Sequence, residues 1–153
     1  MTPPGVESRP LCLRDALAIE AASHLGWVDG IEQLAVHVAA ENGVGPDDAF
    51  FLGVALREAL VNAMLHGHGF DARRAVRVEI QVDSGKAIIV TIRDQGPGFD
   101  PASVPDPRTP ENVRRSHGRG VFLMRQFADV VAFSFPPDGG TVVRLEKRLP
   151  RAA

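Results

Sequence analysis

The chain has 153 residues, of which 44% are hydrophobic and 24% are charged, a composition that indicates one globular domain. Its net charge of −2 gives no reason to expect a nucleic acid or an anionic membrane as a partner. Cys12 is the single cysteine, which excludes an internal disulfide. We expect a cytoplasmic protein with neither a signal peptide nor an apolar run long enough to cross a membrane.

The first third of the chain predicts two helices after an extended start. Residues 1–10 are rich in proline and are expected to be flexible, with a single domain following over residues 11–149. A short extended piece is predicted at Leu11–Ala18. The spacing of apolar residues then predicts an amphipathic helix over Asp29–Glu41 and a second helix over Asp48–His66.

A hairpin and a long loop are predicted next. Apolar and polar residues alternate over Val76–Val82, and a turn leads into a returning strand, Ala87–Ile92. The Ile-Ile-Val run of the returning strand indicates a central strand covered on both faces. Pro101–His117 contains four prolines, several charges and almost no apolar residues, so it is predicted to be a mobile loop.

The last part of the chain predicts a third helix, Val121–Ala128, and a second hairpin that joins Val130–Phe135 to Thr141–Lys147. Helices and strands are grouped along the chain instead of alternating. The predicted fold class is therefore α+β, with a layer of helices on one face of a mixed, largely antiparallel sheet. A doubly wound sheet does not fit this order, and the sequence contains no GxGxxG motif.

The second predicted helix has a line of polar residues on an apolar surface. Glu58, Asn62 and His66 are four residues apart, which places them on one helix face among valines and leucine. Polar groups in such a setting cost free energy unless they are paired, so the line indicates a ligand or metal site. The oxygen of Asn62 can bind a hard divalent cation beside phosphates, and Glu58 can accept a proton from a hydroxyl group. A polar face without a role is the alternative.

Two glycine-containing segments could bind parts of a nucleotide. Asp94 follows a predicted buried strand, where its carboxylate can accept a hydrogen bond from an exocyclic amine, and Gly96 and Gly98 let the backbone approach a flat ligand. A plain turn after a strand explains this segment equally well. Gly118-Arg119-Gly120 opens a predicted helix, whose free amides attract phosphate, although a flexible hinge is the alternative.

These segments, in this order, resemble the sequence boxes of the GHKL ATP-binding superfamily. The stretch REALVNAMLHG, which begins at Arg57, resembles the N box, and DQGPGF at Asp94–Phe99 resembles the first glycine box. GRGVFLMRQFADV at Gly118–Val130 resembles the second glycine box, and Gly140-Thr141 resembles the terminal Gly-Thr element. Within the superfamily, the chain is similar to the bacterial anti-sigma-factor serine/threonine kinases.

The resemblance implies a Bergerat-type two-layer α/β sandwich that binds ATP and Mg²⁺. Asn62 is implied as the magnesium ligand, Glu58 as the general base, and residues 101–117 as the ATP lid. Asp94 is implied to read the adenine amino group. The full set implied to bind the nucleotide is Asn62, His66, Asp94, Gly96, Gly98, Phe99, Gly118, Arg119, Gly120, Val121 and Thr141.

The resemblance also implies a function and partners. Such kinases phosphorylate a serine on an anti-sigma antagonist protein, which then no longer binds the kinase, and the kinase remains free to hold a sigma factor. A homodimer is expected by the same resemblance. Two alternatives remain open from the sequence: a non-catalytic nucleotide-loaded switch that sequesters a partner, and a stand-alone histidine-kinase-like ATPase domain.

Overall fold

The computed structural model of the protein describes residues 16–100, 102, 108 and 119–151. The segment 1–10 and most of the predicted lid at 101–117 lie outside the described residues. The elements in chain order are β1 (Leu17–Ala22), a 3-10 turn (Leu25–Trp27), α1 (Val28–Glu41), α2 (Pro46–Asn62), a π-helical turn (Ala63–Gly67), β2 (Ala75–Asp83), β3 (Ala87–Arg93), α3 (Arg119–Phe127), β4 (Val130–Ser134) and β5 (Val142–Arg148).

Five strands form one sheet in the order β1-β2-β3-β5-β4. The α+β prediction is confirmed, and every strand pairing within the described residues is antiparallel, so this part of the sheet is not mixed. The prediction that β3 is central is also confirmed. Ile88 and Val90 belong to the core beneath the helices, while Ile89 points to the other face and is still only 5% exposed.

The first strand lies later in the chain than predicted. The sequence suggested an extended piece at Leu11–Ala18, whereas β1 begins at Leu17, and residues 11–15 lie outside the described part. The reason is that the alternating residues of β1 match those of β2, which puts one apolar row of each strand on the core face. The paired core-facing residues are Leu17 with Ile80, Ile19 with Val78, and Ala21 with Val76.

The central helix is α2, which packs against α1, α3 and the sheet. Leu52, Leu56 and Leu60 on its inner side are fully buried, as the apolar stripe predicted. The helix starts at Pro46, two residues before the predicted start, because the fixed φ of proline suits a first helical turn. Its helical path continues past Asn62 as a π-helical turn, which contains the predicted end of the helix.

The combined segment Pro46–Gly67 has 22 residues, and an 18-residue stretch of it, with a mean hydropathy of 1.3, is long and apolar enough to span a membrane. The expectation that no segment reaches such a length was therefore wrong. Half of this apolar stretch is buried inside the fold. Length and apolarity are weak indications here, because the core helix of a globular domain meets the same criteria.

The third helix and the second hairpin lie close to their predicted positions. Helix α3 spans Arg119–Phe127, and β4 and β5 pair as an antiparallel hairpin. The ring of Phe127 stacks on Phe51 of α2 with centroids 4.9 Å apart, which fixes the end of α3 to the central helix.

Candidate nucleotide-binding site

The carboxylate of Asp94 is buried at the end of the central strand. Asp94 directly follows β3 and is 6% exposed. Its backbone N–H donates to the carbonyl oxygen of Thr141 over 3.0 Å, and its Oδ1 accepts a hydrogen bond of 2.7 Å from the Gly96 N–H. These bonds hold the carboxylate in one orientation between β3 and the start of β5.

Three glycines pack so closely around Asp94 that no side chain fits. A Cβ on Gly67 would lie 2.7 Å from Asp94 Cγ, and one on Gly96 would lie 2.5 Å from the Gly67 backbone. A Cβ on Gly140 would overlap the carbonyl oxygen of Asp94. The two predicted segments at Asp94 and Gly140 therefore meet the end of the α2 path at a single point, and they do so because glycine lacks a side chain.

An aromatic wall adjoins this point. Gly98 has a φ of +77°, and a Cβ added there would lie 3.2 Å from Phe135 and 3.8 Å from Thr141 Oγ1. Phe99 is 40% exposed, and its ring meets Phe133 and Phe135 edge-on at 5.3 and 5.9 Å. A partly open apolar surface beside a buried carboxylate suits a flat heteroaromatic ring that bears an amino group.

A second polar group lies where α3 begins. A Cβ on Gly120 would lie 2.9 Å from Asn62 Nδ2 and 3.1 Å from Glu58 Oε2, so the first turn of α3 packs directly on this pair. Both side chains are half-buried. Burial raises the pKa of Glu58 above its ordinary value, and the neighbouring positive charge of Arg57 opposes this shift. A carboxylate with a raised pKa binds a proton more readily.

Arg57, next to Glu58, is held on the α1 side of the central helix. Its Nε donates to Glu32 over 2.6 Å, and its Nη2 also pairs with Asp29. These two carboxylates neutralise the guanidinium, which limits how strongly Arg57 stabilises the charged form of Glu58.

The two polar groups are joined by one continuous helical path. Asn62 ends α2, and the π-helical turn runs from there to Gly67, which touches Asp94. Five residues of helix correspond to about 7 Å along the axis, a separation that one nucleotide can bridge. Within the described ranges, no group of three or more His, Cys, Asp or Glu side chains could hold a metal ion. A magnesium ion here would therefore rely on the Asn62 oxygen together with phosphate and water oxygens.

The other predicted site residues are more varied. His66 is exposed in the π-helical turn, and Arg119 is the exposed first residue of α3. Val121 is 5% exposed and belongs to the hydrophobic core, so its side chain serves packing. Gly118 lies outside the described residues.

Sequence reasoning missed a buried histidine at the Asp94 turn. His68 is 5% exposed, and its Nε2 accepts a hydrogen bond of 2.9 Å from the backbone N–H of Gln95. Its Nδ1 lies 2.6 Å from Ser23 Oγ, and Ser23 also bonds the carbonyl oxygen of Arg74. Ser23 is 45 residues away, so no local spacing reveals the contact.

Comparison with known families decides the identity of this arrangement. Residues 22–147 match the family described as the histidine kinase-like ATPase domain. The chain belongs to this family. The match covers most of the sequence and confirms both the GHKL resemblance and the Bergerat-type fold. Membership in this ATPase family implies that the chain binds ATP.

Curated relatives of this histidine kinase-like ATPase include anti-sigma factors. It is 29% identical over 109 residues to the anti-sigma F factor of Bacillus subtilis (strain 168), covering 69% of the chain and 73% of that protein. It is 30% identical over 111 residues to the anti-sigma F factor of Anoxybacillus flavithermus (strain DSM 21510 / WK1), with the same coverage of 69% and 73%. The chain is therefore a distant homologue of the anti-sigma F factors.

Two solved structures share the fold. One holds the RsbU and RsbW domains of Rv1364c from Mycobacterium tuberculosis, with a TM-score of 0.64 and 18% identity over 90% of this chain and 33% of that one. The other is the SiaB-SiaC complex from Pseudomonas aeruginosa, with a TM-score of 0.66 and 13% identity over 86% of this chain and 88% of that one. At these identities, the likeness establishes the fold alone.

Proposed function

We propose that this protein is an ATP-dependent serine/threonine protein kinase that acts as an anti-sigma regulatory factor in the cytoplasm. It phosphorylates a serine on an anti-sigma antagonist protein and sequesters a sigma factor when the antagonist is phosphorylated. The observation that supports this most strongly is the contact of Glu58 and Asn62 with Gly120, on the same helical path that reaches Asp94. A proton acceptor, an oxygen ligand for a cation and a helix start are thus adjacent.

At one end of the site, Asp94 recognises adenine. The Gly96 N–H holds its carboxylate and the Thr141 carbonyl oxygen holds its backbone N–H, and the carboxylate accepts a hydrogen bond from the exocyclic amine of the base. Gly98 leaves room for the ring, and the edge of Phe99 excludes water from one side of it. Because the carboxylate is fixed before the ligand arrives, little ordering cost remains to be met on binding.

At the other end, Asn62 and the start of α3 hold the phosphates. The Asn62 oxygen would hold Mg²⁺, which would supply positive charge beside the phosphate oxygens. Gly120 exposes its backbone beside Asn62, and the positive end of the α3 dipole favours the negative charge of the phosphates. Arg119 adds a positive side chain at the first position of the helix.

The transfer step uses Glu58 as the general base. A serine hydroxyl of the antagonist forms a bond to the γ-phosphorus, the bond from that phosphorus to the bridging oxygen breaks, and ADP leaves. The serine proton passes to the carboxylate of Glu58. Burial raises the pKa of this group, which improves its match to a proton that it must accept near neutral pH.

The comparisons support the choice of partner. The curated relatives are named anti-sigma F factors, and one structural neighbour contains an RsbW domain. The other neighbour was solved as a two-protein complex, which supports a protein partner for this fold. A homodimer remains part of the proposal.

The test is transfer of label from γ-labelled ATP to antagonist-like proteins encoded near the gene. The wild-type protein should place acid-stable label on serine, whereas Asn62→Ala should abolish both transfer and magnesium-dependent ATP binding. The exposed amide variant Gln126→Ala on α3 is the matched control and should behave like the wild type.

A fully active Asn62→Ala protein would contradict the assignment of the site. Acid-labile label would instead indicate a phosphohistidine product. Glu58→Gln separates the kinase from a nucleotide-loaded switch: the kinase loses transfer and retains ATP binding, whereas a switch retains its regulatory effect on the partner.

A further inference from the structure

A buried histidine connects the Asp94 turn to the edge strand of the sheet. His68 and Ser23 are 5% and 1% exposed, which is unusual for residue types that both bear polar groups. The imidazole lies between the Gln95 N–H, 2.9 Å from Nε2, and the hydroxyl of Ser23, 2.6 Å from Nδ1. Both ring nitrogens therefore form hydrogen bonds, and these bonds determine which nitrogen bears the proton.

The hydrogen-bond directions define one state of the ring. The backbone N–H of Gln95 can only donate, so Nε2 of His68 must be the unprotonated acceptor. A neutral imidazole then has its hydrogen on Nδ1, where it donates to Ser23 Oγ. The hydroxyl of Ser23 in turn donates to the carbonyl oxygen of Arg74 over 3.0 Å. Each N–H and O–H group in this series of hydrogen bonds has an acceptor only if His68 is neutral and carries its proton on Nδ1.

The backbone carbonyl group of Gln95 is also held by a hydrogen bond. The guanidinium of Arg74 donates to the Gln95 carbonyl oxygen through Nη2 and lies 3.5 Å from the Gly67 carbonyl oxygen through Nη1. Gln95 stands between Asp94, whose carboxylate is buried, and Gly96, which bonds that carboxylate. Fixing this peptide therefore fixes the orientation of the Asp94 carboxylate.

We propose that neutral His68 is a positioning residue for the nucleotide site, because it holds the Gln95 peptide and thereby aims the Asp94 carboxylate at the adenine amine. This inference rests on the proposed ATP site and adds a residue to it. In this role, His68 contacts neither the base nor the phosphates. Ser23 supports it by fixing the tautomer.

The charges around His68 agree with a neutral ring. Burial lowers the pKa of His68, and the positive charge of Arg74 lowers it further, whereas Asp94 and Asp71 act in the opposite direction. A protonated ring would present an N–H to the Gln95 N–H and break that hydrogen bond. Nucleotide affinity should therefore decrease as the pH falls through the pKa of His68, which lies below the ordinary histidine value of 6.5.

The first test uses the wild-type protein without nucleotide. Nitrogen-15 NMR of the histidine side chains at pH 8 should show His68 with its proton on Nδ1, and amide hydrogen exchange should show a protected Gln95 N–H. Lowering the pH through the pKa of His68 should remove that protection. A proton on Nε2, or a Gln95 amide that exchanges like a free loop amide at pH 8, would overturn the inference.

The second test compares three histidine variants by ATP titration across pH. His68→Gln keeps an acceptor for the Gln95 N–H, whereas His68→Leu removes it and should bind ATP about tenfold more weakly at pH 8, the loss expected for one hydrogen bond. Only the proteins that keep His68 should show the additional loss of affinity at low pH, since the phosphates of ATP titrate identically in every titration. His37→Gln, which replaces an exposed histidine on α1, is the control and should retain the wild-type profile.

The outcomes separate this inference from the proposed function. A wild-type protein that binds no ATP at pH 8 contradicts the proposed function, while the NMR result still decides the state of His68. A wild type that binds ATP with the same pH profile as His68→Gln contradicts the positioning role. If His68→Leu fails to fold, Ser23→Ala replaces it, and it should weaken the protection of the Gln95 amide without removing the acceptor.

Discussion

Two polar clusters, each built around a buried charged residue, lie at opposite ends of the sheet. The Asp94 cluster comprises Ser23, His68, Arg74, Gln95 and Asp94, and the Lys147 cluster comprises Asp48, Phe51, Phe127, Asp129 and Lys147. The strand register fixes their separation, because Arg93 pairs with Val142 at one end of β3 and Ile88 pairs with Lys147 at the other.

The Lys147 cluster satisfies its charges internally. The ammonium group of Lys147, a residue that is 7% exposed, donates to the Phe127 carbonyl oxygen over 3.1 Å. It also lies 3.4 Å from Asp48 and 3.6 Å from Asp129, and 5.9 Å above the ring of Phe51. These contacts join the starts of α2 and β4 to β5, and all of them stabilise the fold.

The Asp94 cluster is built in the opposite way. The buried carboxylate of Asp94 accepts a backbone N–H, and the turn that follows it is bonded to the neutral ring of His68. None of these contacts places a cation against the negative charge of Asp94. The Gly96 hydrogen bond occupies one of about four acceptor positions of a carboxylate. A buried charge alone therefore does not indicate a binding site. A buried carboxylate that is held rigidly and can still accept further hydrogen bonds does indicate one.

Glycine substitutions at the Asp94 cluster should have the largest effect on both stability and ATP binding. Gly140→Ala places a Cβ against the Asp94 carbonyl oxygen at a φ of +90°, so we expect the free energy of unfolding to fall by about 3 kcal/mol and ATP binding to be lost. Gly139→Ala has a similar φ of +98° with nothing within 4 Å, and should cost about 1 kcal/mol with ATP affinity unchanged. Urea denaturation and ATP titration of both variants measure this; equal losses would contradict the close packing around Asp94.

Asp94→Asn should have the next largest effect. The amide oxygen can still accept the Gly96 N–H, but the other half of the side chain becomes a donor that faces the adenine amine. We expect ATP affinity to fall about 100-fold, equivalent to about 2.7 kcal/mol, while the melting temperature changes little. Calorimetric titration checks this, and an affinity within threefold of the wild type would remove Asp94 from the site.

Lys147→Ala should show the reverse pattern. Loss of the ammonium contacts and of the aliphatic stem should lower the free energy of unfolding by about 2 kcal/mol, with ATP affinity unchanged. The exposed pair of Lys86 with Asp83 provides the control, since Lys86→Ala should change stability by less than about 0.5 kcal/mol. A loss of ATP affinity in Lys147→Ala without unfolding would show that the two ends are coupled.

Glu58→Gln should have the smallest effect on stability, and of opposite sign. The folded-state pKa of Glu58 is raised, so its stabilising contribution is complete below the ordinary value of 4.5 and is lost as the pH rises through the folded pKa. Glutamine avoids this loss, and the variant should therefore melt at a higher temperature than the wild type at pH 7. Melting curves down to pH 4 should show the difference disappearing; a difference that grows in acid would contradict the burial of Glu58.

Much of the fold could be predicted from local patterns. The alternation over β2 and the apolar run of β3 gave the central hairpin, because burial on one or two faces selects such patterns directly. The polar line at Glu58 and Asn62 was visible because helical spacing places both residues on one face. The extended piece predicted at Leu11–Ala18 overlaps β1 only at its end, since the register of β1 is decided by pairing with β2, which is distant in sequence.

The parts that could not be predicted depend on contacts across the chain. His68 and Ser23 are separated by 45 residues, and each looks ordinary in its own segment. Lys147 lies in the core-facing row of β5 with Val143 and Leu145, where a lysine is unexpected, and the distant carboxylates of Asp48 and Asp129 pair with its charge there. The π-helical turn ends at Gly67, which lies against Asp94, and helical spacing alone did not distinguish this turn from the rest of the helix.

Paired calorimetric titrations with ATP and GTP in magnesium show whether the Asp94 turn takes up the adenine of ATP. A carboxylate acceptor suits the amino group of adenine and opposes the carbonyl oxygen at the same position of guanine. We predict that ATP binds at least about tenfold more tightly than GTP and that Asp94→Asn reduces this preference. Equal binding of the two nucleotides, or binding of neither, would contradict the account.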